Sequence, residues 1–109
     1  MQELSAIFPE KVKVYNEIVD LMVDMIAKQP TKPHVVKALG QRLSRLGIQL
    51  FIMAPDKVVV AYLKWRTLAS VGENAEEIVK AYAEMILEMR KDIEPTTTCD
   101  VETALDLWG

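Results

Sequence analysis

Few side chains in this sequence have the types and spacing that chemistry requires. The single histidine, His34, stands near the start of a helical segment on its polar side. A general base needs a nucleophile or carboxylate aimed at it, and no partner is evident in the pattern. The single cysteine, Cys99, lies in Thr96-Thr97-Thr98-Cys99-Asp100. A helix N-terminus lowers a thiol pKa, but the neighbouring Asp100 opposes this, and no second histidine exists to act as its base. One cysteine forms no internal disulfide, and no Cys/His pair has metal-ligand spacing. Glu17, Asp20 and Asp24 make an acidic row at helical spacing. A hard cation needs oxygens converging from several elements, so the row reads as a solvated face. No catalytic residue, metal site or cofactor is expected on these grounds. Gly-rich phosphate loops, nucleophile elbows and HExxH-type zinc patterns are also absent from the sequence.

Charge is more informative. From Met25 to Pro55 there are five bases (Lys28, Lys32, Lys37, Arg42, Arg45) and no acid. From Glu73 to the end there are ten acids against three bases. Two readings stand. Lys37, Arg42 and Arg45 form a surface for an anionic partner, or the basic helix faces the acidic helices within the fold or across copies. The net charge of -3 and the lack of interleaved aromatics argue against nucleic acid.

These residues need elements to hold them, and five helical segments are expected. The first runs from about Ser5 or Pro9 to Lys28, with Pro9 in its first turn and Gln29-Pro30 ending it. Tyr15, Ile18, Met22 and their neighbours give it a wide apolar arc. The second starts at Thr31-Lys32-Pro33 and reaches about Phe51, with a stripe of Leu39, Leu43, Leu46 and Leu50. Gly40 and Gly47 lie on its flank, where another backbone could approach, and Gly47 could instead break the helix. Pro55 opens the third, with Val58, Ala61, Tyr62, Trp65 and Ala69 on one face and Val60 and Leu63 on the other. Ser70-Val71-Gly72-Glu73 reads as a loop. Asn74 caps the fourth, with Glu77 three residues on. Its stripe is Ile78, Tyr82, Met85, Ile86, Met89 and Ile93. Leu87 sits on its polar side without a local partner. The threonines after Pro95 can cap a short fifth segment bearing Val101, Ala104, Leu105 and Trp108. A competing reading makes strands of Gly47–Met53 and Val58–Tyr62, but two strands alone are marginal.

The fold expected is therefore all-α, a single compact bundle of four main helices plus a short C-terminal helix, forming one domain over residues 1–109. The expected core is Tyr15, Ile18, Met22, Leu39, Leu43, Leu46, Val58, Tyr62, Trp65, Ile78, Tyr82, Met85 and Met89. With 109 residues, half of them apolar, a core forms without disulfides or metals. The longest uncharged stretch, Leu46–Pro55, is too short to span a bilayer as a helix. No signal peptide is expected, and the cysteine usage suits a reducing, cytoplasmic setting.

Two stretches together resemble a family of uncharacterised bacterial helical proteins. One is Leu43–Trp65, with Asp56-Lys57-Val58-x-x-Ala61-Tyr62-x-x-Trp65. The other is Glu76–Asp92, opened by Glu76-Glu77-Ile78 and closed by Glu84-Met85-Ile86-Leu87-Glu88-Met89-Arg90-Lys91-Asp92-Ile93. Lys13-Val14-Tyr15-x-x-Ile18-Val19 is similar to that family's opening helix. The likeness covers about Lys11 to Trp108. It departs at Ala54-Pro55, where relatives often carry serine, and at Ile93-Glu94-Pro95, where they continue with a Leu-Gly-like turn. The resemblance implies a helical domain and no assigned activity. The one site that it would carry over is Arg90, Lys91 and Asp92, a polar cluster at a helix end.

Three functional expectations follow. Surplus apolar surface at Val60, Leu63 and Leu87 points to a self-associating interaction module, with a dimer favoured. The basic residues Lys37, Arg42 and Arg45 point to a binder of an anionic partner. A catalytic or toxin-type role would have to run through Arg90 and Asp92.

Overall fold

The computed structural model describes the backbone of residues 2–108 and the side chains of residues 8–107. Five helices follow one another: α1 (Gln2–Lys28), α2 (Pro33–Met53), α3 (Asp56–Val71), α4 (Ala75–Ile93) and α5 (Val101–Trp108). The described residues contain no strand. The all-α class, the four main helices and the short C-terminal one are as expected. The chain divides into two units, Met1–Met53 and Ala54–Gly109.

In the first unit α1 packs against α2. Val14, Tyr15, Ile18, Leu21 and Met22 of α1 are buried, as are Leu43, Leu46 and Leu50 of α2. Both sets recur at three- and four-residue steps, the period that places side chains on one helix face. Pro9 lies inside α1 rather than in its first turn. There it forgoes the hydrogen bond to the carbonyl of Ser5 and its ring crowds that carbonyl. Gln29 ends α1 in the left-handed region, at φ 43°, with its N–H donating to the Met25 carbonyl at 2.9 Å. The Lys32 carbonyl accepts the first bonds of α2, from Val35 and Val36. Pro33 then fills the position where a missing N–H costs nothing.

α2 continues unbroken through Gly47, so the strand reading of Gly47–Met53 and Val58–Tyr62 is overturned. The helical stripes Leu43-Leu46-Leu50 and Val58-Tyr62-Trp65 are all buried. Strands alternate their side chains between two faces and would split these sets. Gly40 meets nothing within 4 Å at its Cβ position, so it admits no neighbouring backbone.

In the second unit α4 is the middle helix, packed by α3 on one side and by α5 on another. Pro55 is extended and caps α3, which therefore begins at Asp56, one residue after the expected start. α3 also runs through Val71, into the expected loop. It is closed by left-handed Gly72, at φ 69°, whose N–H donates to the Leu68 carbonyl at 3.0 Å. Glycine adopts this conformation without a Cβ penalty. Asn74 caps α4 as expected, its Oδ1 accepting from the Glu77 N–H at 3.1 Å. α5 is capped not by a threonine but by Asp100, whose Oδ1 accepts from the N–H and the hydroxyl of Thr103 at 3.0 Å each. A carboxylate accepts both at once and interacts with the positive helix end, which a hydroxyl does less well. These bonds hold the Asp100 pKa below its ordinary value.

The buried set here is Val58, Tyr62, Trp65, Ala81, Tyr82, Ala83, Met85, Leu87 and Met89. The Tyr62 and Trp65 rings lie 5.9 Å apart at 49°. Leu39 and Ile78, expected in the core, are only half-buried. Each lies in the N-terminal part of its helix, before the fully buried stripe begins. The expected contribution of Trp108 lies outside the described side chains.

Candidate functional site

Each unit carries one surface that its own helices leave open. In the second unit, α3, α4 and the start of α5 frame an open groove of about 510 Å³. Its floor is apolar: Val60 and Ala61 from α3, Leu87 from α4 and Val101 from α5. Its rim carries Asp56, Lys57, Lys64, Glu84, Glu88 and Lys91. Lys64 Nζ lies 3.1 Å from Glu84 Oε2 and Lys91 Nζ 3.3 Å from Glu88 Oε1. The rim therefore balances three acids with three bases.

Leu87 corrects one expectation. It is 7% exposed, so it supplies the floor of a groove rather than surplus surface. The reason is the place of α4 between α3 and α5, which covers a second face of that helix. Glu84 and Glu88, on the polar side of α4, are half-buried as well. Val60 and Leu63 are exposed, as their position opposite the α3 stripe requires.

In the first unit the open surface is on α2. Lys37, Arg42 and Arg45 are all exposed. Arg42 lines a shallow cleft of about 330 Å³ between α1 and α2, together with Asp20, Leu21, Val23 and Asp24. Asp20 and Asp24 of the acidic row thus share a cleft with a base, and Lys28 Nζ lies 3.4 Å from Asp24 Oδ2. Lys37 and Arg45 carry the outward charge of this helix. The sequence reading missed the apolar end of the same face. Ile48, Phe51 and Ile52 are exposed by 63%, 77% and 75%. Their i, i+3, i+4 spacing, opposite Leu43, Leu46 and Leu50, is the signal that identifies them.

The remaining candidates do not converge. Arg90 Nε donates to Thr97 Oγ1 at 2.8 Å, while Lys91 turns back to Glu88. Of this cluster, Arg90 thus ties the end of α4 to the α4–α5 connection, while Lys91 pairs within α4. His34 is exposed at the start of α2. Cys99 is half-buried, with its N–H donating to Thr97 Oγ1 at 3.2 Å. Among the described residues no group of three or more His, Cys, Asp or Glu side chains is placed to hold a metal ion. Among the same residues no helix is long and apolar enough to cross a membrane.

Burial pushes the Tyr62 phenol up to about 12, with nearby Arg66 opposing the shift, and also raises the Tyr82 phenol. Both rings belong to the α3–α4 core. Trp65 is 1% exposed, and among the described residues nothing accepts a hydrogen bond from its Nε1. Compared with protein-family models, with curated proteins and with solved structures, the chain matches none.

Proposed function

We propose that this protein is a non-enzymatic interaction module that self-associates in a reducing, cytoplasmic setting, through the α3–α4 groove. The observation that carries the reading is the apolar-floored groove, which includes exposed Val60, together with exposed Leu63 three residues further along α3. Contiguous apolar surface of this kind is uncommon on soluble monomers unless it binds something. The balanced rim supports a second copy as the occupant. In a twofold contact every rim charge meets the same rim rotated, and a single-sign rim would repel itself. Lys64, Lys91, Glu84 and Glu88 can exchange partners across such a contact.

Solution mass tests this directly. Size-exclusion chromatography with light scattering, at low and high salt, is expected to give about twice the 12.3 kDa chain mass. Val60→Ser with Leu63→Ser is expected to return the monomer with unchanged helicity. A wild-type monomer at high concentration would overturn the reading.

A second reading is favoured by the exposure of Lys37, Arg42 and Arg45 on a helix that carries no acid. Here α2 binds an anionic partner. Binding that weakens with salt and is lost on replacing the three by alanine is the expected result.

A further inference from the structure

Along α2 the exposed side chains change character in a fixed order. Taking about 100° per residue, Lys37, Arg45, Phe51 and Ile52 all lie within about 60° of Ile48 around the axis. The buried leucines lie on the opposite side. One solvent-facing strip, about 22 Å from Lys37 to Ile52, is thus basic in its first half and apolar in its last turns.

We infer that this strip of α2 docks on an anionic lipid surface, with Lys37 and Arg45 at the headgroups and Ile48, Phe51 and Ile52 at the acyl boundary. The inference rests on the second reading above and gives its anionic partner a chemistry. A dissolved anion would satisfy the bases but leave three large apolar side chains in water. A bilayer interface provides negative charge and apolar depth side by side, and because charge and apolarity are divided along α2 rather than around it, the helix meets the interface tilted, with its last turns deepest. Juxtaposed basic residues add attraction to anionic headgroups. Charge favours this partner over a second copy's groove, whose rim is balanced rather than acidic. The stripe is short and only two bases face outward, because Arg42 lies beside Asp20 and Asp24. Binding should therefore be weak and reversible, comparable with a single acyl chain, half-saturated near about 0.1 mM accessible lipid.

The test is co-sedimentation of the full chain with phosphatidylcholine vesicles, with and without phosphatidylserine at about a third of the lipid. Sodium polyphosphate serves as the soluble polyanion. Expected are binding to the anionic vesicles only and its loss at high salt. Phe51→Ser with Ile52→Ser should weaken it at least about tenfold. Lys37→Glu with Arg45→Glu should do the same through charge. Circular dichroism checks that the variants stay helical, which is expected because all four positions are exposed. Polyphosphate binding as tight as vesicle binding and unaffected by the Phe51/Ile52 change would overturn the lipid inference while leaving the anion reading intact. No binding to either would overturn both. A Phe51/Ile52 variant that changes the solution mass but not vesicle binding would assign the strip to contacts between copies and overturn the inference.

Discussion

Leu87 in α4 and Phe51 in α2 have the same standing in the sequence: each is a large apolar residue outside its helix's main stripe. In the Ala54–Gly109 unit α5 gives α4 a second neighbour, and Leu87 is buried. In the Met1–Met53 unit α2 is packed by α1, and Phe51, Ile48 and Ile52 remain in water. An off-stripe apolar residue is thus buried or left in water according to how many helices its own helix touches. Helix periodicity describes one face and says nothing of a second neighbour.

Point substitutions can break this contrast. The largest effect is expected at the centre of the second unit. Trp65→Ala should cost about 3–5 kcal/mol by urea denaturation, since it empties a fully buried site beside Tyr62. Phe51→Ser with Ile52→Ser, although it removes two large side chains, should stay within about 0.5 kcal/mol per site because both are already solvated. Comparable losses would mean that the α2 strip is covered in solution.

A smaller effect follows from pH. The folded state favours neutral Tyr62, so its contribution is complete below the ordinary phenol value of 10.0. It is lost as pH rises from there through about 12. The loss from Tyr62 should be about 3 kcal/mol at most, removed from the total in Tyr62→Phe, and visible in the urea midpoint against pH. Tyr82, raised for the same reason, should add in the same direction.

The helix ends sharpen the comparison at the smallest scale. Asn74→Ala removes a formed cap and should cost about 1 kcal/mol in thermal unfolding. Gln29→Gly relieves a left-handed glutamine at the end of α1 and should add about 0.5 kcal/mol. A loss at Gln29 would show that its side chain, not its backbone, holds that turn.

Much of this was legible in residue order. Pro33, Pro55, Asn74 and Pro95 bounded the helices to within a residue or two, because a missing N–H and a short side-chain acceptor act locally. Most of the expected core is buried for a similar reason, since one stripe per helix needs only one neighbour. Pro9 was misplaced because proline favours a first turn but does not forbid residues upstream of it from being helical. The cap of α5 was assigned to threonines because several acceptors compete there, and only geometry selects Asp100. Of the candidate surface, Val60 and Leu63 were readable from their position opposite a clear stripe. Ile48, Phe51 and Ile52 carry the same signal opposite Leu43, Leu46 and Leu50, but it holds only if α2 continues through Gly47, which the sequence left open and the structure settles.

The sequence alone determined that this chain is helical, where its helices break, which stripe of each is buried and how charge is divided along it. These follow from backbone sterics and side-chain period, which act over a few residues. Only the tertiary structure decided the rest: that α4 is a middle helix, that Leu87 floors a groove and that Arg42 stands by an acidic row. It also left the far face of α2 open from Lys37 to Ile52. Those outcomes depend on which helices touch, and contacts between distant residues leave no mark in the local pattern.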